Sequence, residues 1–376
     1  PAAATETIIK EARRRFRTHN AARRYVVAEL YEALAVHHPD AVSADMVQEQ
    51  LADSVAVREA LLWMWPVLSP AQLVHDLYGS QALIRSASPD MTAEEQAALH
   101  RPWADGKNAD SVVWTTDDVP ILDEAFEVLG PRPKRRLDDD VRTYGHIVVD
   151  EAQDLSPMQL RMLTRRSLNG SMTIVGDIAQ STGAWAHGDW DEILEHLPDR
   201  KPPRRAELTV GYRIPGPSMD LAARILKVAA PDLRPPISVR SEGDEPKFVP
   251  VHAANGSKAP LLDAVVEVAS REASDGGAGN LAVIAPRSLY QPIIEAFETA
   301  GVTIGRAPRD GLAHQITIVP VNLVKGLEVD VALVVEPSAM WAEEPQPARS
   351  LYVACTRATK QLVVIHAEPL PDVLAS

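Results

Sequence analysis

The stretch His146-Ile147-Val148-Val149-Asp150-Glu151-Ala152-Gln153-Asp154 decides how this chain is read. Ile147, Val148 and Val149 form a short β-branched apolar run, the pattern of a strand buried in a parallel sheet. Two carboxylates follow immediately, so they stand just past the strand's C-terminal end. Open parallel sheets place their chemistry there.

Working outward, the pattern downstream is regular. Ser156-Pro157 is a cap followed by proline at the first helical position, and it starts a helix whose buried face carries Met158 and Met162; Asn169-Gly170 closes it. Strands are expected at 172–175, 207–210, 248–251, 281–285, 316–319, 329–335 and 361–366. Helices are expected between most of them, at 217–230, 258–274, 288–300 and 348–359. Strands alternating with helices of this length imply parallel sheets covered on both faces. Upstream of about residue 140 the pattern is helical. Residues 5–37 read as one or two amphipathic helices, Ser43 caps another, and further helices fall near 55–64, 70–78 and 92–100. Residues 101–120 read as a structured loop, and a helix from Pro120 to Leu129 stops at Gly130-Pro131. Trp63, Trp65, Trp103 and Trp114 are expected to pack a small core.

Composition narrows the class. With 376 residues, 45% of them hydrophobic and 24% charged, the chain is a globular protein of two or three domains. Its single cysteine, Cys355, excludes an internal disulfide and fits a reducing, cytoplasmic setting. The longest apolar stretch, Leu61 to Leu68, is far too short for a membrane span and contains Pro66. There is no secretory signal, and a chain beginning Pro-Ala-Ala-Ala is expected to be a piece of a longer protein. A formal charge of −14 argues against coating nucleic acid by bulk electrostatics. Two basic clusters, Arg13 to Arg24 and Arg132 to Arg136, read as solvated surface.

The motifs assemble into a family. His146 to Asp154 resembles the Walker B motif of superfamily 1 helicases of the UvrD/Rep type. Gly176-Asp177-Ile178-Ala179-Gln180-Ser181 looks like their motif III, and Leu208-Thr209-Val210-Gly211-Tyr212-Arg213 like motif IV. Val324-Lys325-Gly326-Leu327-Glu328-Val329-Asp330 resembles motif V, and Leu351-Tyr352-Val353-Ala354-Cys355-Thr356-Arg357-Ala358 motif VI. The resemblance implies RecA-like P-loop NTPase lobes and the cofactors ATP and Mg2+. It implies that Asp150 holds Mg2+ and that Glu151 orients and deprotonates the attacking water. Gln180 would sense the γ-phosphate, while Arg213 and Arg357 would neutralise charge on the γ-phosphoryl. Tyr212 would stack on adenine, and Glu328, beside Gly326, would bond the ribose hydroxyls. The site would lie in a cleft between two lobes. The phosphate-cradling GxxxxGK[ST] occurs nowhere in the sequence, so this piece alone is expected not to hydrolyse ATP.

Two departures refine the expectation. Motif III continues as Thr182-Gly183-Ala184-Trp185-Ala186-His187, where DNA-translocating members carry an aromatic and arginine run that stacks on single strands. Residues 214–323, between motifs IV and V, leave no room for the large 2B insertion of processive helicases. Thr18 to Arg23 and Trp114 to Ala125 are similar to stretches of HelD-like proteins, which implies binding to bacterial RNA polymerase and ATP-driven release of that enzyme from nucleic acid. The division expected is the rear of lobe 1A over 1–39, a helical insertion over 40–135 reaching the polymerase channel, lobe 1A over 136–200 and lobe 2A over 201–376. Asp117, Asp118, Asp138, Asp139 and Asp140 are the candidate polymerase contacts, since acidic groups can compete with nucleic acid in a basic channel. A monomer is expected. A DNA translocase or helicase of the UvrD type, and a non-enzymatic protein with a decayed site, are the alternatives.

Overall fold

A computed structural model of the chain describes residues 2–40, 42–103, 108–132, 141–183, 185–198, 201–252, 258–274, 279–307, 309–311 and 313–375. The candidate contacts Asp138, Asp139 and Asp140 lie outside the described residues. The chain divides into two compact units, one formed by Pro1–Gly145 with Met158–Leu168 and the other by His146–Pro157 with Asn169–Ser376.

The first unit is helical: α1 (Ala2–Arg15), α2 (Arg23–Val36), α3 (Ala44–Leu51), α4 (Val55–Met64), α5 (Pro70–Gly79), α6 (Gln81–Ala87), α7 (Ala93–Leu99), α8 (Val119–Leu129) and nearly all of α9 (Pro157–Arg166). Serines define the short helices of its middle. Ser43, Ser54, Ser69 and Ser80 each accept the backbone N–H three residues on, and Thr92 forms a reciprocal capping box with Glu95. Gly130, at φ 71, ends α8 as expected. Among the described residues of the stretch 101–120 are two 3-10 turns, Ala109–Ser111 and Thr116–Asp118, before α8 begins at Val119.

Asn20 is the polar hub of this unit. Its buried amide donates to the carbonyls of Leu68 and Gly130 and accepts from the N–H of Leu68. His19 stacks on Trp65 at 4.7 Å, and the Trp65 indole donates to the His19 carbonyl. The tryptophans divide: Trp65 is buried and Trp103 stacks on His75, but Trp63 is 90% exposed. On α9 the fully buried side chain is Leu160, with Met158 and Met162 only half-buried.

The described residues of the second unit form three parallel sheets. β1 (Ile147–Val149) pairs with β2 (Met172–Ile174), and β3 (Val210–Gly211) pairs with β4 (Ile237–Ser238). The strand expected at 207–210 is therefore shorter and shifted, and Leu208 is almost fully exposed. Six strands form the main sheet: β5 (Lys247–Pro250), β6 (Leu281–Ala285), β7 (Gly305–Arg306), β8 (Ile316–Pro320), β9 (Val329–Val335) and β10 (Ala358–His366), in the order β5-β10-β9-β6-β8-β7 and parallel throughout.

Alternation along these strands builds two cores. Ala282, Ile284, Ala332, Val334, Leu362 and Val364 face one side, under α11 (Gly216–Ala229) and α15 (Pro347–Cys355). Leu281, Val283, Val331, Leu333, Val363 and Ile365 face the other, under α12 (Ala259–Ser274) and α13 (Arg287–Thr299). The parallel α/β architecture expected from the sequence is thus present. Among the differences, α10 (Trp190–Leu194) and α14 (Pro337–Glu343) are additional, and α15 ends at Cys355, so 358–359 is strand. No helix among the described residues is long and apolar enough to cross a membrane.

Candidate functional site

The candidate groups gather where the loops after β1 and β2 meet the β8–β9 connection and the end of α15, all within the second unit. The chain leaves β1 through Asp150, whose Oδ1 accepts the N–H of Glu151 at 2.8 Å. Glu151 then adopts a left-handed backbone, φ 52 and ψ 39. For a residue with a Cβ this conformation costs about 1–2 kcal/mol, and it turns the carboxylate out of the strand direction. Gln153, fully buried, bridges the two loops. Its Nε2 donates to Glu151 Oε2 at 2.6 Å, and its Oε1 accepts the N–H of Asp177 at 3.0 Å. The Ser181 hydroxyl donates to the Gln153 carbonyl. A Cβ at Gly176 would lie 2.2 Å from Gln153 Oε1, so any side chain there would displace this amide.

The second loop presents Gln180. Its Nε2 donates to Asp177 Oδ2 at 2.8 Å, while its Oε1 accepts from Arg357 Nη2 at 3.0 Å. Lys325 reaches the same place from the far end of the sequence. Its ammonium donates to the Gln180 carbonyl at 2.6 Å, pairs with Asp154 Oδ2 at 2.5 Å and stands 3.9 Å from Glu151 Oε2. Arg357 is 8% exposed, and besides Gln180 it serves the carbonyls of Val353 and Leu327. Burial lowers its proton affinity, yet an arginine stays cationic at any ordinary pH.

The other candidates lie at the rim. Arg213 pairs with Glu328 at 2.6 Å, both side chains about half exposed, and Tyr212 is 73% exposed. Gly326 takes φ 74, which turns the chain between Lys325 and Glu328. Arg349, not singled out in the sequence, sends its guanidinium to the carbonyls of Ser181, His187 and Ala229. Its partners are all backbone, so no residue-type pattern signals it. Gln153, Asp154, Asp177 and Lys325 do lie inside the motifs, but nothing in the sequence pairs them.

Asp117 is exposed. Asp118 is instead 3% exposed: its carboxylate accepts from the Thr115 N–H and hydroxyl and pairs with Arg101 at 2.6 Å. Burial pushes its proton affinity up, but those donors outweigh it and hold its carboxyl below the usual range. It is an internal cap and not a surface contact.

The donor set fits a magnesium ion that arrives with a nucleotide. Mg2+ takes few protein ligands and keeps water and phosphate oxygens, and Asp150 offers one exposed carboxylate. No cluster of three metal-ligating side chains occurs among the described residues. For a triphosphate, the cations Arg213, Arg357 and Lys325 are at hand, although protein groups occupy each of them here.

Two segments of the chain match models of known families. Residues 123–201 match the UvrD/REP helicase N-terminal domain, and residues 315–365 match the UvrD-like helicase C-terminal domain. No curated protein sequence matches the chain significantly. Among solved structures, the C-terminal domain of a possible DNA helicase from Lactobacillus plantarum WCFS1 is 21% identical, covering 44% of this chain and 92% of that one, with a TM-score of 0.35. A Saccharomyces cerevisiae Dbp5 variant bound to a Gle1 variant and IP6 is 11% identical, covering 60% and 52%, with a TM-score of 0.30. The chain thus carries, in N-to-C order, segments similar to the N- and C-terminal domains of UvrD-like helicases.

Proposed function

We propose that this chain carries the magnesium and water side of an ATP-hydrolysing helicase-type motor. The observation that supports it is the convergence of Glu151, Gln180, Lys325 and Arg357, from four separate motifs, into one hydrogen-bonded cluster. In this reading Asp150 holds the Mg2+ that enters with ATP, and the metal supplies charge neutralisation at the phosphates. Glu151 orients water and accepts its proton. Gln180 contacts the γ-phosphate and passes its presence to Arg357. Arg213 exchanges Glu328 for phosphate, an easy exchange because an exposed ion pair contributes only about 0–1 kcal/mol. Glu328 is then free for the ribose and Tyr212 for the base.

At a finer level the reading is HelD-like, a factor that binds bacterial RNA polymerase and helps release it from nucleic acid. It is supported by the helical first unit, the acidic net charge and the loop 181–187, which has Trp185 but no arginine. Since the sequence lacks GxxxxGK[ST], the purified chain is expected to be silent alone, and turnover by it would overturn that expectation. In the full-length protein Glu151→Gln should lower turnover by at least ~10²-fold with nucleotide affinity kept. Retained turnover removes Glu151 from its role. Capture of core RNA polymerase supports the finer reading, whereas stimulation by single-stranded DNA without polymerase capture favours a translocase.

A further inference from the structure

The residue that governs Glu151 is hidden beneath it. Gln153 is fully buried, and both ends of its amide are committed: the nitrogen to Glu151 Oε2 at 2.6 Å, the oxygen to the Asp177 N–H at 3.0 Å. A primary amide has a donor end and an acceptor end that cannot trade places without losing both bonds. The position of the Asp177 N–H therefore dictates where the N–H donor points, and so where the Glu151 carboxylate is held. Asp177 in turn holds Gln180 through Oδ2. Glu151 needs such a hold, because its left-handed backbone is intrinsically unfavourable and its side chain is 46% exposed.

We propose that Gln153 is a positioning residue for Glu151, setting the direction of its carboxylate and tying it to the Asp177–Gln180 loop. The proposal deepens the ATPase reading, in which a change at Gln180 would reach the water-activating carboxylate through Asp177 and Gln153. Lys325, 3.9 Å from the same Glu151 oxygen, stands on the opposite flank but is anchored mainly to Asp154 and Gln180. The amide is therefore the shorter and more directional constraint.

The test replaces Gln153 by Glu, which keeps an acceptor for the Asp177 N–H and removes the donor for Glu151. Two carboxylates then face each other and repel, so the Glu151 side chain loses its anchor. A crystal structure of the Gln153→Glu chain at neutral pH should show the Glu151 carboxylate turned away from residue 153, whereas in the wild type it rests on the Gln153 amide. Hydrogen exchange of the Asp177 amide should stay slow in Gln153→Glu and become fast in Gln153→Met. A Glu151 carboxylate that keeps its place in a folded Gln153→Glu chain overturns the proposal, as does a slow Asp177 amide in Gln153→Met. In full-length Gln153→Glu, kcat should fall about 10²-fold with KM little changed, the cost of a misplaced catalytic group. If the displacement of Glu151 is seen but turnover is kept, the positioning role stands and the water-activating role of Glu151 falls.

Discussion

Glu151 and Glu336 are the two non-glycine residues with positive φ among those described, and they differ in what the strain serves. Glu336 is 5% exposed, and its carboxylate accepts the N–H groups of Ala367 and Glu368, fastening the end of β10. Glu151 is half exposed; its carboxylate accepts from Gln153 and stands 3.9 Å from the Lys325 ammonium. Alanine leaves the backbone strain in place at either position and removes only the carboxylate. Glu336→Ala should therefore cost about 2–3 kcal/mol, the loss of hydrogen bonds to a buried charge, and Glu151→Ala under about 1 kcal/mol, because water can replace an exposed partner. Urea unfolding of the two variants checks the difference, and equal costs would mean that Glu151 is a structural group. Motif spacing singled out Asp150, Glu151, Gln180, Arg213 and Arg357 as candidates. It gave no sign of the Gln153 bridge or of Lys325 reaching Asp154, since those contacts depend on how the loops fold together, across up to 171 positions of sequence.

At the scale of elements, end signals proved more legible than interiors. Ser43, Ser156-Pro157 and Gly130-Pro131 marked helix ends correctly because capping satisfies backbone groups locally. The strand expected at 207–210 is reduced to Val210–Gly211, because Leu208 and Val210 are apolar without being buried and the hydrophobic pattern has no core behind it. The end of α15 was misread because 358–359 join β10, Ala358 pairing with Val329, a register no local pattern encodes. Ion pairing between elements was equally invisible. Asp123 of α8 takes both Arg165 and Arg166 of α9, while Glu124 takes Arg161 and Arg165. Arg165 is pulled down by burial but raised overall by the two carboxylates beside it. Removing one partner of a largely buried network strands the other charges. Asp123→Ala is thus expected to cost about 2–3 kcal/mol, discounted for the partial exposure of both arginines. A double-mutant cycle of Asp123→Ala with Arg165→Ala should give a coupling above about 1 kcal/mol; an additive cycle would reduce the network to a surface feature.

Over the whole molecule, the main sheet holds together by burial on both faces, and one carboxylate staples three of its neighbouring strands at their N-terminal ends. Asp330 of β9 accepts the Gly279 N–H just before β6 at 2.6 Å, the Lys360 ammonium of β10 at 3.1 Å and the Thr359 hydroxyl at 3.3 Å. Burial pushes its proton affinity up, but the Gly279 amide, Lys360 and Thr359 outweigh this and hold its carboxyl below the ordinary aspartate range. A carboxyl depressed in the folded state adds stability above its unfolded pKa, near 3.9, and loses it as pH falls through the folded value. The increment is therefore complete at neutral pH and disappears only in acid. Asp330→Asn should cost about 1–2 kcal/mol at pH 7, read from hydrogen exchange of the β9 amides. Near pH 3 the gap between variant and wild type should narrow, because the wild type is by then losing its own charge. A gap of the same size at both pH values would assign the staple to shape and hydrogen bonding alone, with the charge contributing nothing.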